Sequence, residues 1–279
     1  MTRKNIFEIL NASYDINKEF VKIIRLCNSD IYRGYGYSLA AENLVDKHLL
    51  KKWKQRKSYL SCEEMLGDIK SHLSSNDINS KIIILEYYVN ILHLIESNKG
   101  FLFANNSLQP TDKFGLVQEN ICILLEHLNL EKLIIQSEEK VLLVPKSPAA
   151  TAVAEISSDE TGLAILKYHH ASMKGNLEEK KKLLYQISLE YEPLLQSPIE
   201  GYKDFFEKTN ALLNNLHIRH NNKAKENNKN KVINIDDQEL ERWYDELYQL
   251  LLFCVLIKNN LERKNDVDKF LKELKGANT

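Results

Sequence analysis

The residues best suited to chemistry crowd into nine positions. Asn214, Asn215, His217, Arg219, His220, Asn221 and Asn222 all fall within LLNNLHIRHNN, at the end of a predicted helix. A guanidinium grips a phosphate in a planar fork and stabilises charge developing on it. An imidazole takes or gives a proton near neutral pH. Asparagine amides orient a phosphate or a ribose. These are the parts needed to cut RNA without a metal: the 2′-hydroxyl attacks the adjacent phosphate, a histidine moves protons, and an arginine holds the pentavalent charge. In that scheme Arg219, His220 and His217 are the catalytic candidates, and Asn214, Asn215, Asn221 and Asn222 bind the nucleic acid. The ordinary alternative is a polar helix exit, with the asparagines as caps and Arg219 in a salt bridge.

A second basic feature lies at 47–57, where six of eleven residues are Lys or Arg. Lys51, Lys52, Lys54 and Arg56, with Trp53 among them, are candidates to attract a nucleic-acid backbone. The alternative is a solvated helix face with Trp53 in the core. RGYGYSL (33–39) lacks the longer glycine pattern of a nucleotide-binding loop and reads as a turn between helices. His169 and His170 are adjacent, so they face different sides of a helix and make no metal pair. Glu239, Glu241, Asp245 and Glu246 would reach the Arg–His cluster if their helix packs antiparallel to it. No phosphate-cradling glycine loop, zinc-protease, serine-hydrolase or kinase signature occurs, and neither a metal nor a cofactor is expected.

Helices must position these groups, because helical periodicity dominates the chain. Apolar stripes predict helices before Asn28 and over 39–56. A capping box at Ser61 and Glu64 opens the next helix. The segment 81–98 is apolar nearly all round and reads as a central helix. Another helix follows over 115–130. KLIIQSEEKVLLVPK (132–146) changes period and predicts a short hairpin, the one credible sheet. Beyond Pro148 the pattern is helical again. Gly175 fits a helix stop, Asn176 a cap, and Asp236 and Asp237 the start of a long final helix. The expected fold is mainly α, a multi-helix bundle with one small β-hairpin in the middle. The expected domains are 1–145, ending in the hairpin, and 146–279.

Composition narrows the classes. The 279 residues carry 38 Lys+Arg against 39 Asp+Glu, a net charge of -1, so any nucleic-acid contact has to be local. Only 9 Gly and 5 Pro argue against turn-rich all-β architectures. No run of about 18 uncharged apolar residues occurs, so no membrane partner is expected. The opening MTRKNIFEILNASYD does not read as a secretory signal. Cys27, Cys62, Cys122 and Cys254 are widely spaced and read as reduced, mostly buried thiols. The expected location is cytoplasmic.

Several stretches taken together carry a resemblance: IFEIL, RGYGYSL and VDKHLLKKW near the start, VPKSPAATAVAEI (144–156), LKYHHASMKGNLEEKKKLL (166–184), LLNNLHIRHNN (212–222) and LERWYDELYQLLLFC (240–254). The chain resembles an uncharacterised bacterial abortive-infection-related family with a HEPN-like helical domain at its C-terminal end. The resemblance implies an antiphage defence protein, a metal-independent ribonuclease and a homodimer with RNA as its partner. HEPN ribonucleases resemble one another through an Arg with a His four to six residues after it. Here His220 follows Arg219 directly, and no His stands at the family spacing. Family members without the motif are expected to bind rather than cut. The rival expectation is therefore a non-catalytic nucleic-acid- or protein-binding module of a defence or toxin–antitoxin system. A third is a helical scaffold that dimerises through its C-terminal helices.

Overall fold

The computed structural model describes residues 14–34, 37–73, 77–102, 108–196, 201–219 and 235–276. It is 73% helical, and the class is mainly α. The chain divides into two compact units, 1–146 and 147–279.

In the first unit, α1 (Ile16–Cys27) starts at Asp15, whose carboxylate accepts the N–H groups of Asn17 and Lys18. Then β1 (Tyr32–Gly34) and β2 (Tyr37–Leu39) pair antiparallel. The expectation of a plain turn across RGYGYSL is thus corrected. Strands of three residues are too short to show a period-two pattern. A third strand, supplied from 108–110, completes the sheet. What fixes the sheet is nonlocal: Tyr32 is buried against Phe114, with ring centroids 5.2 Å apart, and Thr111 donates its N–H to Ile31 O at 2.8 Å.

Next, α2 (Ala41–His48) ends earlier than the periodicity predicts. Two 3-10 turns follow, Leu50–Lys52 and Lys54–Arg56. Leu49, Leu50 and Trp53 are all buried, and the tighter turn brings these close-spaced side chains to one core. α3 (Cys62–Ser71) begins at the expected cap: Ser61 accepts from Glu64 N, while the return bond of Glu64 goes to Leu60 N, one residue before the position a capping box uses. α4 (Ile78–Ser97) is the central helix. It is long and apolar enough to cross a membrane, with mean hydropathy 1.2, and 61% of that stretch is buried inside the protein. After the short α5 (Lys99–Leu102) and β3 (Leu108–Pro110) comes α6 (Asp112–His127). The predicted hairpin is β4 (Leu130–Ile135) and β5 (Lys140–Pro145), registered from Leu130↔Pro145 to Ile135↔Lys140. The edge of β5 that β4 leaves open is satisfied by side chains of α4. Asn90 donates to Val141 O at 2.7 Å and accepts from Val141 N at 2.8 Å, while Glu86 accepts from Leu143 N at 2.7 Å.

The second unit holds α7 (Pro148–Glu155), α8 (Asp159–Lys167), α9 (Leu177–Gln196), α10 (Lys203–Asn215) and α11 (Asp237–Gly276). Ser147, Ser158, Asn176 and Asp236 each cap a helix through a side-chain oxygen. Gly175 takes the left-handed φ of +72°. Gly162 lets α8 close on α7, since a Cβ there would meet Ala154 O at 2.8 Å. The core joins Tyr168, Leu184, Ile187, Leu213, Tyr248, Leu251 and Cys254, with the Tyr168 and Tyr248 rings stacked at 4.3 Å. Lys180 of α9 is buried and pairs with Glu241 at 2.9 Å and Asp245 at 2.7 Å on α11. Cys27, Cys62 and Cys254 are buried free thiols, and Cys122 is exposed.

Candidate functional site

The turn after α10 is a Schellman stop. His217 N bonds Asn214 O at 3.2 Å, and Ile218 N bonds Leu213 O at 2.9 Å. His217 occupies the left-handed position with φ +58°, where glycine is usual. Leu213 and Ile218, the apolar pair that normally accompanies this motif, are both in the core. His217 therefore ends a helix, and its Nδ1 is buried with no hydrogen-bond partner among the described residues. Asn214 and Asn215 are the last two residues of α10. His220, Asn221 and Asn222 lie outside the described residues.

The stop turns Arg219 toward α9. Its guanidinium donates to Asn210 Oδ1 and lies 3.5 Å from Glu192 Oε1, with the side chain only 12% exposed. Beside it opens a cleft of about 530 Å³. One face of α9 lines it: Glu178, Lys181, Lys182, Tyr185 and Gln186, at the i, i+3, i+4, i+7, i+8 spacing of a single helical stripe. Ile218 and Arg219 complete it. Tyr185 is 43% exposed, a flat ring beside two lysines. Glu179 hydrogen-bonds Lys182 and pushes its pKa up.

The structure thus brings Arg219 together with Lys181, Lys182, Tyr185 and Gln186, which sequence reasoning missed. Their stripe spacing was the available signal. No histidine lines the cleft among the described residues, and neither Asn214 nor Asn215 does. Three of the acids of α11 anticipated beside Arg219 are engaged elsewhere. Glu241 and Asp245 hold Lys180, and Glu239 holds Arg242 and the Trp243 indole N–H.

In the first unit, the 47–57 cations do not form one face. Lys51 is exposed, and the Lys52 ammonium sits 3.5 Å above the Phe101 ring. Lys54 pairs with Glu139 at 2.7 Å, and Arg56 donates to Tyr59 O at 3.2 Å. Gln55 donates to Glu138 O at 2.8 Å, so this segment is pinned to the hairpin turn. Trp53 is a core residue. Among the described residues no three His, Cys, Asp or Glu side chains converge as a metal site. Comparison with family models, curated proteins and solved structures finds no match for this chain.

Proposed function

We propose that this chain is a bacterial antiphage-defence protein of HEPN type that engages RNA through the cleft at Arg219. The observation that supports this is the cleft itself: two lysines, an arginine, an exposed tyrosine ring and a glutamine, with Glu178 beside them, around one open space. Lysines meet a phosphodiester backbone, and the ring offers a base a stacking surface.

Two forms of that activity differ in whether the RNA is cut. Metal-independent cutting needs an imidazole within reach of the 2′-hydroxyl. His220, next to Arg219, is the candidate for that role. Binding without cutting is supported by the Arg219 guanidinium, which Asn210 and Glu192 already engage.

Binding of tRNA and of single-stranded RNA, measured across a salt series, tests the reading. Lys181→Ala and Lys182→Ala are each expected to weaken binding and to lower the log–log salt slope by about 1. Absence of binding, or an unchanged slope in both variants, sinks it. The same RNAs, incubated and run on a denaturing gel, separate the two forms. Cleavage that His220→Ala abolishes means cutting; intact RNA that is nevertheless bound means binding alone.

A further inference from the structure

The second unit leaves the far end of its longest helix uncovered. α11 enters the core through Tyr248, Leu251, Cys254 and Val255, whereas every residue of 262–275 is exposed. A helical end of about 21 Å is marginal in water unless one of its faces is packed. The apolar side chains on it are not scattered. Val267, Phe270, Leu271 and Leu274 stand at the i, i+3, i+4, i+7 spacing of one face, each between 47% and 58% exposed.

Steps of four and three carry that face back through Arg263 and Asn260 to Leu256 and Phe253, which are exposed too. The result is a seam of three heptads, with Phe253, Asn260, Val267 and Leu274 at one core position and Leu256, Arg263 and Phe270 at the other. Its first residue touches the body of the unit: the Phe253 ring meets the Phe205 ring edge-on, with centroids 5.2 Å apart. The seam therefore starts on a fixed base and runs outward.

We propose that this seam is an interface with a second copy of the chain, the two α11 helices lying parallel and in register as a short coiled coil. Charge points to a copy. Residues 262–275 carry four acids and five bases, so the seam neither repels its own kind nor selects a strongly charged partner. The polar break points to register. One asparagine at such a core position is best placed against another asparagine, and it fixes two strands in alignment. Parallel helices set Asn260, Val267, Phe270 and Leu274 each against its own counterpart. Antiparallel helices with the same overlap set Asn260 against the partner's Phe270 and Asp266 against the partner's Asp266, an unpaired amide and a like-charge pair. The parallel form places Arg263 beside its counterpart, with Asp266 one turn on to balance it. Extent agrees. The seam is about 33 Å long, and two such strips, each about half a helix's girth, bury roughly 1,000 Å², the least that a specific interface needs. The pair is thus one that dissociates on dilution. It does not depend on the RNA reading of the cleft.

Sedimentation equilibrium of the full chain, from about 1 μM to about 300 μM, tests it. The mass is expected to climb from the 32.4 kDa of one chain toward twice that value. Phe270→Glu and Leu274→Glu put a charge on the seam at positions outside the core. Each is expected to weaken association at least about tenfold. Lys272→Glu, off the seam, is expected to leave it unchanged. Hydrogen exchange across 262–275 is expected to slow as concentration rises, and not to do so in Phe270→Glu. For orientation, Val267→Cys is expected to form a disulfide-linked dimer under mild oxidation beyond the background set by the exposed Cys122 of the wild type. Lys272→Cys is expected to stay at that background. The mass of one chain throughout, association unchanged in both glutamate variants, or no gain in cross-linking from Val267→Cys overturns the proposal. Arg219→Ala is expected to leave the mass untouched, so failure here and failure of the RNA reading are distinguishable.

Discussion

The two units keep polar side chains inside by different means. In the first, Glu86 and Asn90 serve the backbone, closing the open edge of β5. In the second, buried charges serve one another across helices. Lys180 joins α9 to Glu241 and Asp245 of α11, and Lys258 of α11 joins back to Glu190 of α9 at 2.8 Å. Side-chain bonds to a strand edge fix which groups of that strand face the helix. Ion pairs between helices fix which way each helix is turned, and they carry a dependence on pH. Glu86 and Asn90 also line a concavity of about 200 Å³ in the first unit. Lys180, by pointing inward, leaves Lys181 and Lys182 on the cleft face of α9.

The largest expected effect breaks the first device. Asn90→Ala leaves Val141 N–H and C=O unpaired in a buried setting, at about 1–3 kcal/mol each, and adds a cavity. A loss of about 3–5 kcal/mol is expected in urea unfolding, with faster hydrogen exchange at Val141. A loss below about 1 kcal/mol would mean that water or a shifted strand replaces the side chain. Lys180→Ala breaks the second device at lower cost. Removing one partner of a fully buried pair costs about 3–5 kcal/mol, but Asp245 is 43% exposed and solvent screens its share. About 2–3 kcal/mol is expected in thermal unfolding. Equal losses in both variants would erase the distinction between the units.

What the sequence disclosed follows the range of each interaction. Caps are local, so Ser61 with Glu64, Asn176 and Asp236 were legible as helix starts, and the hairpin at 130–145 was legible by its change of period. The sheet of β1, β2 and β3 was not, because its third strand arrives from a distant segment. The helix predicted through 39–56 breaks into 3-10 turns because a core contact, Trp53, outweighs local periodicity. At the candidate site, seven polar residues in nine positions read as one cluster. The backbone sends the four described ones apart: Asn214 and Asn215 finish a helix, His217 takes the left-handed stop without being glycine, and Arg219 is turned to α9. Three consecutive lysines, 180–182, look alike in sequence. Which of them goes inward is decided by carboxylates some sixty residues later.

The smallest expected effect is also the sharpest in sign. Burial holds the Glu42 carboxyl above its ordinary range, against the hydrogen bond from Tyr87. Glu241 is also opposed by burial. Yet the Gly175 N–H and the Lys180 ammonium outweigh it and hold the group below that range. For Glu42 the folded value exceeds the unfolded one. Its contribution is fully present below the ordinary carboxylate range near 4.5 and is lost as pH rises through the folded value. For Glu241 the order is reversed: stability is present above that range and lost as pH falls through the depressed value. Glu42→Gln keeps an acceptor for Tyr87 and is expected to stabilise the first unit at neutral pH, with the gain vanishing in acid. Glu241→Gln is expected to destabilise the second unit at neutral pH, with the cost vanishing in acid. Hydrogen exchange resolves the units separately, and stabilisation by both variants at pH 7 would show that burial governs both carboxyls.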